Sequence, residues 1–268
     1  MARRWTLAHL LCVALASGCG GESSSNGGSG SGGSNGTGGV GGGAAPASAE
    51  RPADYIRNTG FHTLKIELDT ELGLSPRNGT TDELIEALSG VVDKPGGIVI
   101  VPDETDIPPN EDGIWTAAEL DALARERVGI EESDGEISLH TMWLGGEYEN
   151  PNVVGVAWDN RHLAMFGDRI DRACSGLLIG ALTCSLAEAT IWTHEVGHVI
   201  GLVDRGTPMV NDHKDPEHPA HDVSRESVMY WAYDGTDFTE LLGALTGDSV
   251  IPWGEECERD LEAVRDAD

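Results

Sequence analysis

The chain has 268 residues, 39% of them hydrophobic, which is enough for one sizeable core and a length of one to two domains. Its 17 Lys and Arg stand against 46 Asp and Glu, for a formal charge of −29. That charge repels phosphate backbones and anionic surfaces over a Debye length, so it argues against a nucleic-acid partner and is read as a solubility feature.

Residues 1–18 read as a targeting segment, with Arg3 and Arg4 at its start, an apolar run over 7–16 and small residues before a cysteine in "ASGC". The run is too short to span a bilayer. The "ASGC" ending resembles the lipobox of bacterial lipoproteins, which implies cleavage before Cys19 and lipidation of that thiol; a simple secretory signal cut nearby is the alternative. Both predict export, to the bacterial cell envelope or beyond, with membrane contact only through the N-terminal lipid. Residues 20–45 are almost wholly Gly, Ser, Asn and Ala, a composition that cannot bury enough apolar surface to order itself. The chain therefore divides into a signal (1–18), a lipidated Cys19 with a flexible linker reaching roughly 30 Å (19–54) and a folded domain (55–268).

In the folded part, "HTLKIELD" at 62–69 alternates as a half-buried strand does. "TTDELIEALSGVV" follows as a helix, capped by Thr80 or Thr81 and ending near Gly90. "GGIVIVPD" reads as a buried strand, "TAAELDALARER" as a helix over 116–127 and "ISLHTMWLGG" as a third strand. "NVVGVAW" and "HLAMFG" flank the turn-rich triplet "DNR" and predict a hairpin. A loop, "CSGLLIGALTC", leads into a histidine-bearing helix, then a long polar loop to about 226 and a terminal helix over "EECERDLEAVRDA". The order predicts a mixed α/β (α+β) domain around one mixed, twisted sheet, without internal repeats.

Export favours thiol pairing. Beyond Cys12 and Cys19, three cysteines remain, so they cannot all pair internally. Cys174 with Cys184 is the favoured disulfide because it closes the small loop ahead of the histidine helix; pairing with Cys257 stays open, and none of the three stands in a CxxC metal pattern.

The stretch "IWTHEVGHVIGLVDRG" carries the chemistry. Ser185 and Glu188 have capping-box spacing, so the helix is predicted to start near Leu186 and to run to Gly201. His194 and His198 then lie one turn apart on one face, where both imidazoles reach a single ion. Glu195 is offset by about 100°, outside that pair but within reach of a water between them. The bland alternative is a core helix with two hydrogen-bonded histidines. Gly197 favours the metal reading, since a glycine inside a helix costs about 1 kcal/mol and makes sense where something packs closely. Gly201 supplies a left-handed helix end.

These residues resemble the metzincin zinc metallopeptidases, whose motif H-E-x-x-H-x-x-G-x-x-H/D precedes a methionine-bearing turn. His194, Glu195, His198, Gly201 and Asp204 match it, and Met229 in "SVMY" matches the turn. The resemblance implies a zincin-type domain with an active-site helix and a C-terminal helix, Zn2+ as cofactor, and a third ligand. Asp204 is one candidate. His221 is the favoured one, because "HDVSRESVM" is similar to the H-x7-M spacing of archaemetzincin-like proteins, and the hairpin before the site is similar to theirs. His213 and His218, in the loop this inserts, read as solvated polar residues ahead of a second metal site. Tyr230 and Tyr233 read as packed aromatics ahead of oxyanion donors.

The resemblance further implies a monomeric zinc-dependent endopeptidase acting on protein or peptide, with Glu195 as general base and the substrate extended along "NVVGVAW". A non-catalytic, zinc-braced surface-binding lipoprotein and a zinc amidase or esterase are the alternatives.

Overall fold

Five strands form the main sheet in the order β2-β1-β4-β7-β6: β1 (Phe61–Thr70), β2 (Gly97–Pro102), β4 (Gly135–Leu144), β6 (Gly155–Trp158) and β7 (His162–Phe166). They belong to a computed structural model that describes residues 52–267 apart from 104, 177–179, 236 and 246. The targeting segment, Cys19 and the Gly/Ser linker lie outside the described residues. The first four strands run parallel, and β6 joins β7 antiparallel at one edge, with Gly155 opposite Met165 and Trp158 opposite His162. A parallel pair, β3 (Ile114–Trp115) with β5 (Glu147–Tyr148), forms a second, small sheet.

Period-two alternation sorts the sheet's side chains into two cores. Leu64, Ile66, Ile137, Leu139, Trp143, Leu163 and Met165 face a larger core with the helices α1 (Ala53–Ile56), α2 (Thr80–Ser89) and α5 (Ala181–Val199). Met142, Leu144, Ala164 and Phe166 face a smaller core under α3 (Ala117–Arg127). β4 is covered on both faces, which is why its sequence is apolar almost throughout. β2 is an edge strand and only half-buried, unlike the fully buried strand expected from "GGIVIVPD". α3 starts where the sequence predicts, with Thr116 and Glu119 forming a reciprocal capping box.

α5 is buried along nearly its whole length, including Ile191, Val196 and Val199. At about 1.5–3 kcal/mol for each fully buried side chain, packing and not helix propensity holds it in place. Trp192 donates its indole N–H to Thr141 Oγ1 at 3.2 Å, and its ring lies 5.3 Å from that of Trp143.

Several local readings are corrected. α5 starts at Ala181 with Gly180 as N-cap, not near Leu186. Ser185 lies inside the helix and donates to Ala181 O at 3.0 Å. Glu188 accepts from Arg77 N at 2.7 Å and Thr80 Oγ1 at 2.8 Å, so the spacing that mimics a cap serves to tie α5 to α2. Thr80 is accordingly not the cap of α2; Gly79, at φ 90°, holds that place. The loop before α5 is partly helix α4 (Gly167–Gly176), and the Cys174–Cys184 disulfide joins α4 to the first turn of α5. The terminal stretch holds a 3-10 helix (Trp231–Asp234) and α6 (Phe238–Ala244) before α7 (Glu255–Arg265). No helix among the described residues is long and apolar enough to cross a membrane.

Candidate metal centre

His194 and His198 stand one turn apart on α5 with ring centres 4.8 Å apart and planes at 85°. His194 Nδ1 lies 2.7 Å from Val228 O. A carbonyl only accepts, so Nδ1 carries the proton and Nε2 of the neutral ring keeps a lone pair. That Nε2 lies 3.1 Å from His198 Nε2. The ring of His221 closes the group at 5.2 Å from His194 and 5.1 Å from His198. One nitrogen from each ring lies within 4.8 Å of the others.

The chain brings His221 there by a sharp exit from the helix. Gly201 has φ 85°, and a β-carbon there would press on Pro52 and lie 2.7 Å from Thr207 N. Val203 and Asp204 follow at φ 50° and 66°, uncommon for non-glycine residues and most so for a β-branched one. The loop then closes on itself, with Asp215 N donating to His221 O at 2.8 Å and Asp222 N to Met229 O at 2.8 Å.

Burial sets the protonation of the group. It pushes His194 down to about 4, and His221 also to about 4 with the help of its neighbour His194. His198 is driven well below its ordinary value, first by burial and then by the other two rings. Neutral imidazoles are the form that binds a cation. Nδ1 of His198 and Nδ1 of His221 are buried without a hydrogen-bond partner. Nitrogens 3.1 Å apart can also share one ion at the usual 2.0–2.1 Å. The donor set therefore fits an imidazole-loving metal of the Zn, Cu, Fe or Ni kind.

Glu195 is 2% exposed. Burial raises its carboxyl well above the ordinary value, Asp234 adds repulsion and Arg205 opposes both. Its side chain packs on Gly155, where a β-carbon would lie 2.6 Å from Glu195 Cγ and Oε1. Met229 lies fully buried beneath the helix at Gly197. A β-carbon on Gly197 would collide with Met229 Sδ and approach Met229 Cε and Trp253 Cζ3 to 3.2 Å, which accounts for a glycine inside a buried helix.

Asp204 is not brought to the group: it is mostly exposed and pairs with Lys214 at 2.5 Å. Tyr230 and Tyr233 are buried. The Tyr233 hydroxyl donates to Arg225 O at 2.8 Å, and this tyrosine lines a cavity of 850 Å³ with Arg225, Glu240, Leu245 and Pro252. His218 is half-exposed and stacks on Trp231 at 4.3 Å. His213 is not solvated: it is buried between Asp222 and Asp260, because the loop folds under the C-terminal helix.

Three further residues shape the site without standing out in the sequence. Gly155 makes room for Glu195 and Asp234 faces it electrostatically. Asn160, at φ 47° in the hairpin turn, donates from Nδ2 to Val199 O and Arg205 O, both at 3.1 Å, and so covers the end of α5. Only Asn160 had a visible signal, the preference of asparagine for a left-handed turn.

No family model matches the chain, and no curated protein does. Among solved structures, the chain is similar to archaemetzincin from Methanopyrus kandleri, at 18% identity and TM-score 0.49, over 76% of this chain and 96% of that one. It is also similar to a zinc-dependent peptidase from Methanocorpusculum labreanum, at 14% identity and TM-score 0.47, over 74% and 99% of the respective chains. Likeness this distant decides nothing about chemistry, which rests on the side chains themselves.

Proposed function

We propose that the chain is an exported, lipid-tethered, zinc-dependent endopeptidase in which His194, His198 and His221 hold the metal and Glu195 is the general base. The observation that carries this reading is the convergence of three neutral imidazoles, two buried and one half-buried, with Glu195, the residue after His194, also buried. When bound, zinc acidifies water to a pKa of about 7 and polarises a carbonyl oxygen.

The chain's own residues supply the rest. Glu195 accepts the proton of the attacking water and returns it to the leaving amine. Burial, then repulsion from Asp234, disfavours its carboxylate, and a cation held by the three imidazoles would favour the charged, basic form. The bond to Val228 O fixes the His194 tautomer and ring orientation. Met229 and Trp253 fill the space under Gly197, so the helix cannot settle away from its ligand face. An extended peptide pairing with the edge strand β6 would pass over Gly155, the residue that makes room for the Glu195 side chain.

The test pairs metal analysis of the purified chain with cleavage of casein or a quenched fluorescent peptide. One zinc per chain is expected, with cleavage abolished by chelation. Glu195→Gln keeps the zinc and loses about 10²–10⁴-fold in kcat/KM. Full activity of that variant would remove the base assignment, and a protein without zinc would remove the whole reading.

A further inference from the structure

Away from the three imidazoles, a second cluster of titratable groups lies wholly buried: His213, Asp222, Cys257 and Asp260. We propose that His213, gripped between Asp222 and Asp260, is a positioning residue for the metal centre, tying the loop that presents His221 to the C-terminal helix through these side-chain contacts and not through a second cation. This rests on the metal reading of His194, His198 and His221.

The geometry places a carboxylate at each ring nitrogen. His213 Nε2 lies 2.9 Å from Asp260 Oδ2, and His213 Nδ1 lies 3.1 Å from Asp222 Oδ2. Nε2 thus meets the hydrogen-bond criterion to a carboxylate that can only accept, while Nδ1 lies at ion-pair distance from the second carboxylate but off the line of a hydrogen bond. The two carboxylates hold its pKa up at about 9. Their other oxygens are occupied as well: Asp260 Oδ1 accepts from Val210 N at 2.6 Å and Asp222 Oδ1 from Ser224 N at 2.8 Å.

His213, Asp222 and Cys257 also sit close enough to resemble a cation site, with donor atoms within 4.8 Å of one another. A cation there would require a thiolate and an imidazole stripped of a proton. Burial drives the Cys257 thiol the other way, far up from its ordinary value, and it donates its proton to Asp222 Oδ2 at 3.5 Å.

The link to the metal centre is covalent and short. Asp222 follows His221 directly, and its backbone N–H is bonded to Met229 O. His213 O accepts from Val223 N at 3.0 Å on the other side. Residues 221–223 are therefore fixed by the His213 side chain, by its carbonyl and by the turn that carries Met229. Asp260, on α7, anchors the whole arrangement from the far end of the sequence.

The test uses the full chain. Zinc affinity is measured by competition with a chromogenic chelator, and cobalt(II) substituted for zinc reports ligand geometry through its visible spectrum. Wild type is expected to hold one metal equivalent. His213→Ala should keep cooperative unfolding and native circular dichroism, yet bind zinc about 10–100-fold more weakly and show a cobalt spectrum shifted towards that of His221→Ala. Asp260→Asn, which keeps an oxygen to accept from His213, should lie between the two, and it carries the test alone if His213→Ala does not fold. Unchanged affinity and an unchanged cobalt spectrum in these variants would overturn the proposal. So would a second tightly held equivalent that disappears in Cys257→Ser. Wild type without any metal would overturn the underlying reading and this one with it, and it is told apart because no variant is involved.

Discussion

Replacing Gly155 by alanine tests whether the position of Glu195 matters as much as its identity. A β-carbon on Gly155 would lie 2.6 Å from Glu195 Cγ and Oε1 and 2.9 Å from Cδ, whereas ordinary contact begins at 3.4 Å. Strand or carboxylate must then retreat by roughly 1 Å, a displacement that costs on the order of 10²-fold in rate at a catalytic group. Overpacking costs about 1–3 kcal/mol, and relief of glycine's disadvantage in a strand returns about 0.5–1 kcal/mol. The net loss of about 0–2.5 kcal/mol leaves a domain of ordinary stability folded. The imidazoles are untouched, so Gly155→Ala is expected to retain one zinc and a cooperative melt while kcat/KM for a peptide falls about 10²-fold. Peptide kinetics, metal analysis and calorimetry on one preparation decide it. A fully metallated variant with wild-type kcat/KM would refute the placement of Glu195 under β6.

Asp204→Ala should leave zinc content unchanged and cost at most about 1 kcal/mol, the worth of an exposed ion pair, while His221→Ala should lose the metal on dialysis; metal analysis of both separates the two candidate third ligands. His213 is held up at about 9 against an ordinary 6.5, so its contribution is complete below pH 6.5 and is lost as pH rises through 9, a difference of about 3 kcal/mol at most. Lys94, buried and lowered to about 8, acts in the opposite sense above that pH, so the His213 part is read as the difference between wild type and His213→Gln in urea melts at pH 6.5 and 9.5 with chelator present. Reducing the Cys174–Cys184 bridge, ten residues apart, should lower stability by about 2–3 kcal/mol, seen as a lower Tm in dithiothreitol. Native protein should resist alkylation at the buried Cys257, whose thiol is pushed up by burial, and peptide mapping should find that residue labelled only after denaturation.

What could be read from the chain was local and periodic. β1, the hairpin of β6 and β7, and the capping box of α3 each declare themselves within about ten residues, through alternation, a turn triplet or reciprocal hydrogen bonding. His194, Glu195 and His198 were legible for the same reason, since one helical turn fixes their relation. Ser185 and Glu188 show the limit: their spacing is that of a cap, yet the carboxylate is taken by Arg77 and Thr80, more than a hundred residues away. His213 failed in the same way, because a polar loop looks solvated until the helix that covers it is placed. That His221 and not Asp204 comes to lie beside the other two rings goes with positive φ at Val203 and Asp204, which no propensity for valine would suggest. Gly155 carries no mark in the sequence of the room it makes for Glu195, because what matters there is the side chain it leaves out.

The edge strand β6 has a consequence for handling the protein. Among the described residues no strand covers its outer side, although Arg205 Nη2 donates to the Ala157 carbonyl at 3.3 Å, and an edge left without a neighbouring strand accepts a sibling molecule as readily as a guest peptide. The net charge of −29 keeps copies apart only as far as the ionic atmosphere permits, about 30 Å at 0.01 M and about 3 Å at 1 M. Concentrated salt should therefore bring on self-association, so dilute buffer is the condition for storage.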